Sequence, residues 1–242
     1  MTIIPALINV SNGVILIRLD MEAVRDRESE VGGNRREKRF KLRGGVVCLD
    51  FVNTVGSRLN DCPSEYLRSY EDLLDWSRQA GLLAPEEKEG LSGQATLDPE
   101  GTREALSRAL DLREEIHRVI SAAIAGESQD ESDLSALNRE LSIALSHLRV
   151  MPADGAYTWG WDRSGDDGGA RLDSPLWPVA QSAAELLTSP KLGRVKLCAG
   201  EGCGWVFLDE SRNGSRRWCD SRDCGNRERV RRHLARSRAS RS

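Results

Sequence analysis

The sequence has no apolar run near the roughly 18 residues that would cross a bilayer. Its opening stretch, MTIIPALINVSNGVILIRLD, is apolar only in patches. It lacks a basic start, Asn9, Ser11, Asn12 and Gly13 interrupt it, and no small-residue cleavage site follows. A cytoplasmic protein is therefore expected. Catalytic signatures are also missing: there is no P-loop, no GxSxG and no HExxH. Only His117, His147 and His233 are present, scattered along the chain. His117 and His147 read as helix-surface or core residues, and the expectation is a protein that is not an enzyme. No internal repeat is visible.

What is present is unevenly distributed. The net charge of −3 hides a strong asymmetry. Residues 191–242 carry 14 Lys+Arg against 6 Asp+Glu, whereas residues 1–190 carry 21 against 32. An acidic body is joined to a basic, anion-seeking end. With 39% hydrophobic residues the chain can build a real core. Residues 1–39 read as a leader or linker expected to be poorly ordered, and Met21 is a second candidate start. Residues 40–190 read as a helical domain and 191–242 as a small basic module.

Within the body, GGVVCLDFVNTVGSR (44–58) is an apolar run whose period separates neither strand nor buried helix. Ser69 and Asp72 read as a capping box opening a helix with Leu73, Trp76 and Ala80 on one face and Gly81 as its stop. Asp98-Pro99 opens a longer helix, whose stripe runs through Leu106, Ala109, Leu110, Ile116, Ile120 and Ile124 to Gly126. Ser132 is the expected cap of a helix carrying Leu134, Leu137, Leu141 and Leu145. A hairpin is expected around Asp154-Gly155, and Ser174-Pro175 opens a last body helix with Val179, Ala183, Leu186 and Leu187 inward. The fold class is α+β: a predominantly helical N-terminal domain with a small β-hairpin, plus a small C-terminal treble-clef-like zinc finger.

The finger is read from cysteine spacing. Cys198, Cys203, Cys219 and Cys224 stand as C-x4-C-x15-C-x4-C. Two close pairs on a short connector supply four thiolates at tetrahedral corners around one Zn2+ with little loop-closure cost. Gly204 and Gly225 each follow the second cysteine of a pair, where a knuckle turn favours positive φ. The competing reading, two disulfides, fits a secreted chain better than a cytosolic one. Four cysteine ligands leave no open coordination position, so the zinc is expected to be structural. WVFLDESRNGSRRW between the pairs suggests a hairpin turning at Asn213-Gly214, with Trp218 in its core. Cys48 reads as a buried small hydrophobe and Cys62 is unassigned.

Behind the second pair, six arginines and one glutamate occupy residues 227–238. On a wheel of about 100° per residue, Val230 and Leu234 form a narrow apolar stripe flanked by arginine on both sides. The stripe is expected to dock on the zinc module. Arg227, Arg229, Arg231, Arg232 and Arg236 would meet a phosphate backbone and release counterions. Arg212, Arg216 and Arg217 could extend that surface. Arg216 and Arg217 could equally offset the negative zinc–thiolate cluster.

At these residues the chain resembles the bacterial ABATE-domain proteins with a CGNR zinc finger. The resemblance rests on FKLRGGVVCLDFVNTVGSR, YEDLLDWSRQAGLL, LDLREEIHRVI and FLDESRNGSRRWCDSRDCGNRERVRRH, in which Cys224-Gly225-Asn226-Arg227 is the naming motif. It covers about residues 40–238. It implies a stress-induced transcription regulator with Cys198, Cys203, Cys219 and Cys224 as metal ligands. It also implies DNA contacts from Arg227 onward and an N-terminal domain that senses a small ligand; dimerisation is a further expected role of that domain. Asp50, Asn53 and Arg58 are the candidate ligand-binding residues, with capping or packing as their alternative role. Trp76, Trp159, Trp161 and Trp177 read as core before pocket lining. The rival functions are an RNA-binding or ribosome-associated factor and a zinc-stapled protein-interaction module.

Overall fold

Ser69, Asp98 and Asp130 each start a helix by the same chemistry, a side-chain oxygen accepting a backbone N–H of the first turn. The computed structural model describes residues 9–11, 14–16, 38–128, 130–153, 155–165 and 169–239. Most of the expected leader lies outside the described residues. Its described part pairs β1 (Asn9–Ser11) with β2 (Val14–Leu16). There follow α1 (Val47–Val52), β3 (Val55–Gly56), β4 (Ser64–Glu65), α2 (Tyr70–Gln79), α3 (Pro85–Leu97), α4 (Pro99–Ala125) and α5 (Glu131–Ser146). Next come β5 (Leu148–Ala153), β6 (Ala156–Trp161), α6 (Trp177–Leu187), β7 (Val195–Leu197), β8 (Val206–Leu208) and α7 (Cys224–Ala239). Every described strand pairs antiparallel with its neighbour alone, giving two-stranded ribbons.

The helical body forms around α4, which packs on α1, α2, α3, α5, α6 and β7. Its buried face is Ala105, Ala109, Leu112, Ile116, Val119 and Ile120. That face is rotated from the expected stripe: Leu106 and Leu110 sit at its margin and Ile124 is exposed. In α5, likewise, Ala136, Leu137 and Ala144 are buried and Leu145 is exposed. The α5 cap is Asp130, which accepts from both the backbone N–H and the hydroxyl of Ser132. The expected cap is thus one of the capped groups. Trp76 and Trp177 are fully buried and Trp161 packs against Trp177, whereas Trp159, expected in the core, is exposed on β6. The ambiguous run at 44–58 resolves into α1 and β3, with the Cys48 thiol buried and pushed up to about 12 by loss of solvent.

Strand β8 joins the two ends of the chain. Residues alternate across a strand, and here each face has a different owner. Val206 and Leu208 enter the body core with Leu49, Phe51 and Val52 of α1. Trp205 and Phe207 pack among the four paired cysteines. The Asn53 side chain closes the junction: its amide donates to the Val206 carbonyl at 2.8 Å and its oxygen accepts the Val206 N–H at 3.0 Å. Trp205 Nε1 donates to the Val55 carbonyl at 2.7 Å, and the Leu208 N–H donates to the Gly44 carbonyl at 2.8 Å. Lys38–Ser242 therefore hold together as one unit with no break at 190/191. The expected hairpin after Trp205 is instead a loop, because Asp209 gathers the Ser211 and Arg216 N–H groups and the Lys196 ammonium. The hairpin forms upstream, between β7 and β8, with the first cysteine pair at its tip.

Asn53→Ala strands the buried N–H and C=O of Val206. We expect a loss of about 2–4 kcal/mol, read as a lower urea midpoint. A chelator that strips metal should lower the melting temperature of the body and finger in a single transition, because β8 belongs to both. Two resolved transitions by circular dichroism would show that the finger melts by itself.

Candidate metal centre and nucleic-acid interface

The four cysteines of the spaced pairs are buried, and their sulfurs all lie within 4.8 Å of one another. Cys203 and Cys219 Sγ are 3.8 Å apart, and Cys219 and Cys224 Sγ are 3.6 Å apart. A tetrahedron of sulfurs around zinc at 2.3 Å has edges of about 3.8 Å, so the cluster fits one zinc ion. No pair is a disulfide.

Each cysteine is placed by a local device. Cys198 and Cys203 flank a knuckle closed by the Cys203 N–H to the Gly200 carbonyl. Gly204 has φ +70°, and a Cβ there would stand 2.6 Å from Arg58 Cβ, so only glycine fits. The body loop 57–60 crosses that point, with Arg58 and Leu59 N–H groups donating to the Cys203 and Gly202 carbonyls. Gly225 serves differently from the expected positive-φ turn. It lies in the first turn of α7, against the Trp218 indole. Cys224 opens that helix.

A zinc held by four thiolates keeps about two negative charges. Backbone N–H groups of Gly200 and Cys219 point at Cys198 Sγ at 3.4 and 3.3 Å. The neighbouring Cys203 and Cys219 thiols, then these amides, hold Cys198 below the ordinary thiol value. Arg227 donates from Nη2 to Cys224 Sγ at 3.0 Å and pairs with Asp223 at 3.5 Å. Its guanidinium thus offsets a ligand charge, although the sequence alone assigns it to nucleic acid.

Arg216 is likewise committed to the fold. It donates to the Trp218, Leu208, Arg43 and Cys219 carbonyls and stacks 4.2 Å from the Phe207 ring centre. Arg217 lies over Trp218. Arg231 pairs with Glu201 and Glu228, and Arg232 reaches Glu228 at 3.5 Å. Arg229 donates to the Ser221 carbonyl. Arg212, Arg222 and Arg236 are exposed and form no side-chain hydrogen bond or ion pair among the described residues. The Arg238 side chain lies outside them.

The apolar stripe of α7 does not dock. Val230 is 50% and Leu234 53% exposed. Trp218 and the 219–224 turn cover only the first helical turn, and residues 229–236 are all exposed. Sequence periodicity shows that the stripe is apolar but not whether a partner surface exists within the chain.

Of the candidate ligand residues, Asp50 and Asn53 line one cavity and Arg58 does not. Asn53 is spent on Val206. Arg58 is bound to both Glu114 oxygens at 2.5 and 3.1 Å and to the Val52 carbonyl at 3.1 Å. Asp50 accepts the Gly44 N–H at 2.7 Å and borders a cavity of about 360 Å3. Phe40, Lys41, Tyr66, Trp76 and Trp205 also line it, and it reaches the metal ligands. Burial pushes the Asp50 carboxyl up to about 7. Sequence reading missed the strap beside this cavity, where Lys41 pairs with Asp223 at 2.7 Å and Arg43 with Asp220 at 3.0 Å. Partners some 180 residues apart leave no local signal.

Between the ordinary carboxyl value and about 7, folded Asp50 keeps a proton that the unfolded chain has released. Its contribution to stability therefore falls as pH rises through that window. Asp50→Asn, which retains an oxygen for the Gly44 N–H, should remove on the order of 2 kcal/mol of that decline. Urea unfolding from pH 5 to 8 measures it. Metal analysis should give one zinc per chain, Cys219→Ser should abolish it, and Arg227→Gln should lose zinc to a chelator faster than wild type.

No curated protein matches the chain. The family described as "Putative stress-induced transcription regulator", ABATE, matches residues 45–190, and the CGNR zinc finger matches residues 194–237. No described helix is long and apolar enough to cross a membrane. The first match spans more than half of the chain and the second contains all four clustered cysteines, and the chain belongs to the ABATE family with a C-terminal CGNR zinc finger.

Proposed function

We propose that this protein is a DNA-binding transcription regulator of the cytoplasm and not an enzyme. One observation carries the reading: α7, a helix of 16 residues and about 24 Å, leaves the finger after its first turn, and its arginine-bearing residues 229–236 are all exposed. The major groove of B-form DNA, about 12 Å wide, admits such a helix. The deep, narrow major groove of A-form RNA does not. Arg229 and Arg236 of α7, with the exposed Arg212 and Arg222 of the finger loops, are the proposed phosphate contacts. Arg216 and Arg227 are assigned to the structure of the finger, Arg231 to orienting α7 through Glu201, and Arg232 to an ion pair with Glu228 within the helix. A single small module makes few base contacts, so the working species is proposed to be a homodimer. The cavity beside Asp50 is the proposed seat of a small effector, since its walls come from both the body and the zinc module.

His117 and His147 are half-buried and fit packing roles. His117 is pushed down to about 4, by burial first and then by the Arg58 charge. His147 stacks on the Trp177 ring at 4.3 Å. Fluorescence anisotropy over a salt series should show duplex DNA bound in preference to structured RNA. Arg229→Glu with Arg236→Glu should weaken binding to every sequence and reduce the salt slope by about two. Preference for RNA, or unchanged binding by the double variant, overturns the reading.

A further inference from the structure

The arginines of α7 account for attraction to any duplex and leave its uncharged stripe unused. Asn226, Val230 and Leu234 are spaced i, i+4, i+8 and therefore follow one face. All three are exposed. The Asn226 amide has no hydrogen-bond partner among the described residues, and the two apolar side chains have no covering surface. Arginines border the stripe on both sides, at 227 and 231 and at 229 and 236. A second copy of this helix would set Arg229 and Arg236, which have no acidic partner among the described residues, against like charge, whereas a polyanion complements them.

The chemistry of the stripe is specific. In the major groove an asparagine amide pairs with adenine N6 and N7, and an apolar side chain packs on the thymine methyl group. Resting on the DNA reading above, we infer that Asn226, Val230 and Leu234 form a base-reading face for A·T pairs. Arg229 and Arg236 hold the backbone while these residues report sequence.

The test uses the full zinc-loaded chain and two duplexes of A·T pairs, alike except that one carries uracil in place of every thymine. Charge and pairing are the same, and only the groove methyls are removed. Wild type should bind the thymine duplex about fourfold more tightly per methyl contacted, the ratio for burying one methyl-sized group. Val230→Ala with Leu234→Ala, both solvent-facing changes, should bring the ratio to one and leave the salt slope intact. Asn226→Ala should weaken both duplexes alike, by about tenfold, and keep the methyl ratio. Equal binding of the two duplexes by wild type overturns the inference while leaving DNA binding standing, and absence of binding to either removes both. A Val230/Leu234 double variant that keeps the methyl ratio also overturns it. So does one that turns a dimer into a monomer in sedimentation, since the stripe would then be a self-contact.

Discussion

Strand β8 is three residues long, and two structures share it. Val206 and Leu208 complete the body core while Trp205 and Phe207 line the cysteine cluster. Neither side is whole without it. The Asn53 side chain satisfies both backbone groups of Val206, so the strand is fixed in register as well as in place. Burial of Val206 and Leu208 is worth about 1.5–3 kcal/mol each. Metal binding on one face and hydrophobic burial on the other therefore reinforce one another.

The charge balance of the finger follows from the same geometry. A four-thiolate zinc centre is anionic, and the protein answers it with backbone amides at Cys198 and the Arg227 guanidinium at Cys224. The acids of the second knuckle, Asp220 and Asp223, are met by Arg43 and Lys41. Much of the basic charge visible in the sequence is thus spent inside the molecule. What remains uncommitted is concentrated in Arg212, Arg222 and Arg236.

The cysteine spacing identified the metal site completely, because four ligands in two close pairs constrain their own geometry. Helix caps at Ser69 and Asp98 and the αL stop at Gly126 were equally legible, since they depend on neighbours within a few residues. The α3 helix was not foreseen. With two internal glycines and only Leu91 buried, it has almost no apolar stripe to read. Long-range partnerships were hidden for a different reason. Nothing near Asn53 shows that its amide meets Val206, and nothing near Arg216 shows four carbonyls waiting for it. The exposed Val230–Leu234 pair marks the opposite limit: a correct periodicity does not reveal whether the surface it implies is covered.

The join between Asn53 and Val206 has a consequence for biosynthesis. A ribosome releases residues 44–58 long before residues 195–208, so α1 emerges without the strand that covers it. The nascent body must wait, with Leu49, Phe51 and Val52 open to water, until the last segment leaves the exit tunnel and captures its ion. The α1 face stays uncovered until β8 is in place, so the late arrival of the metal-binding segment sets how long the new chain is open to aggregation.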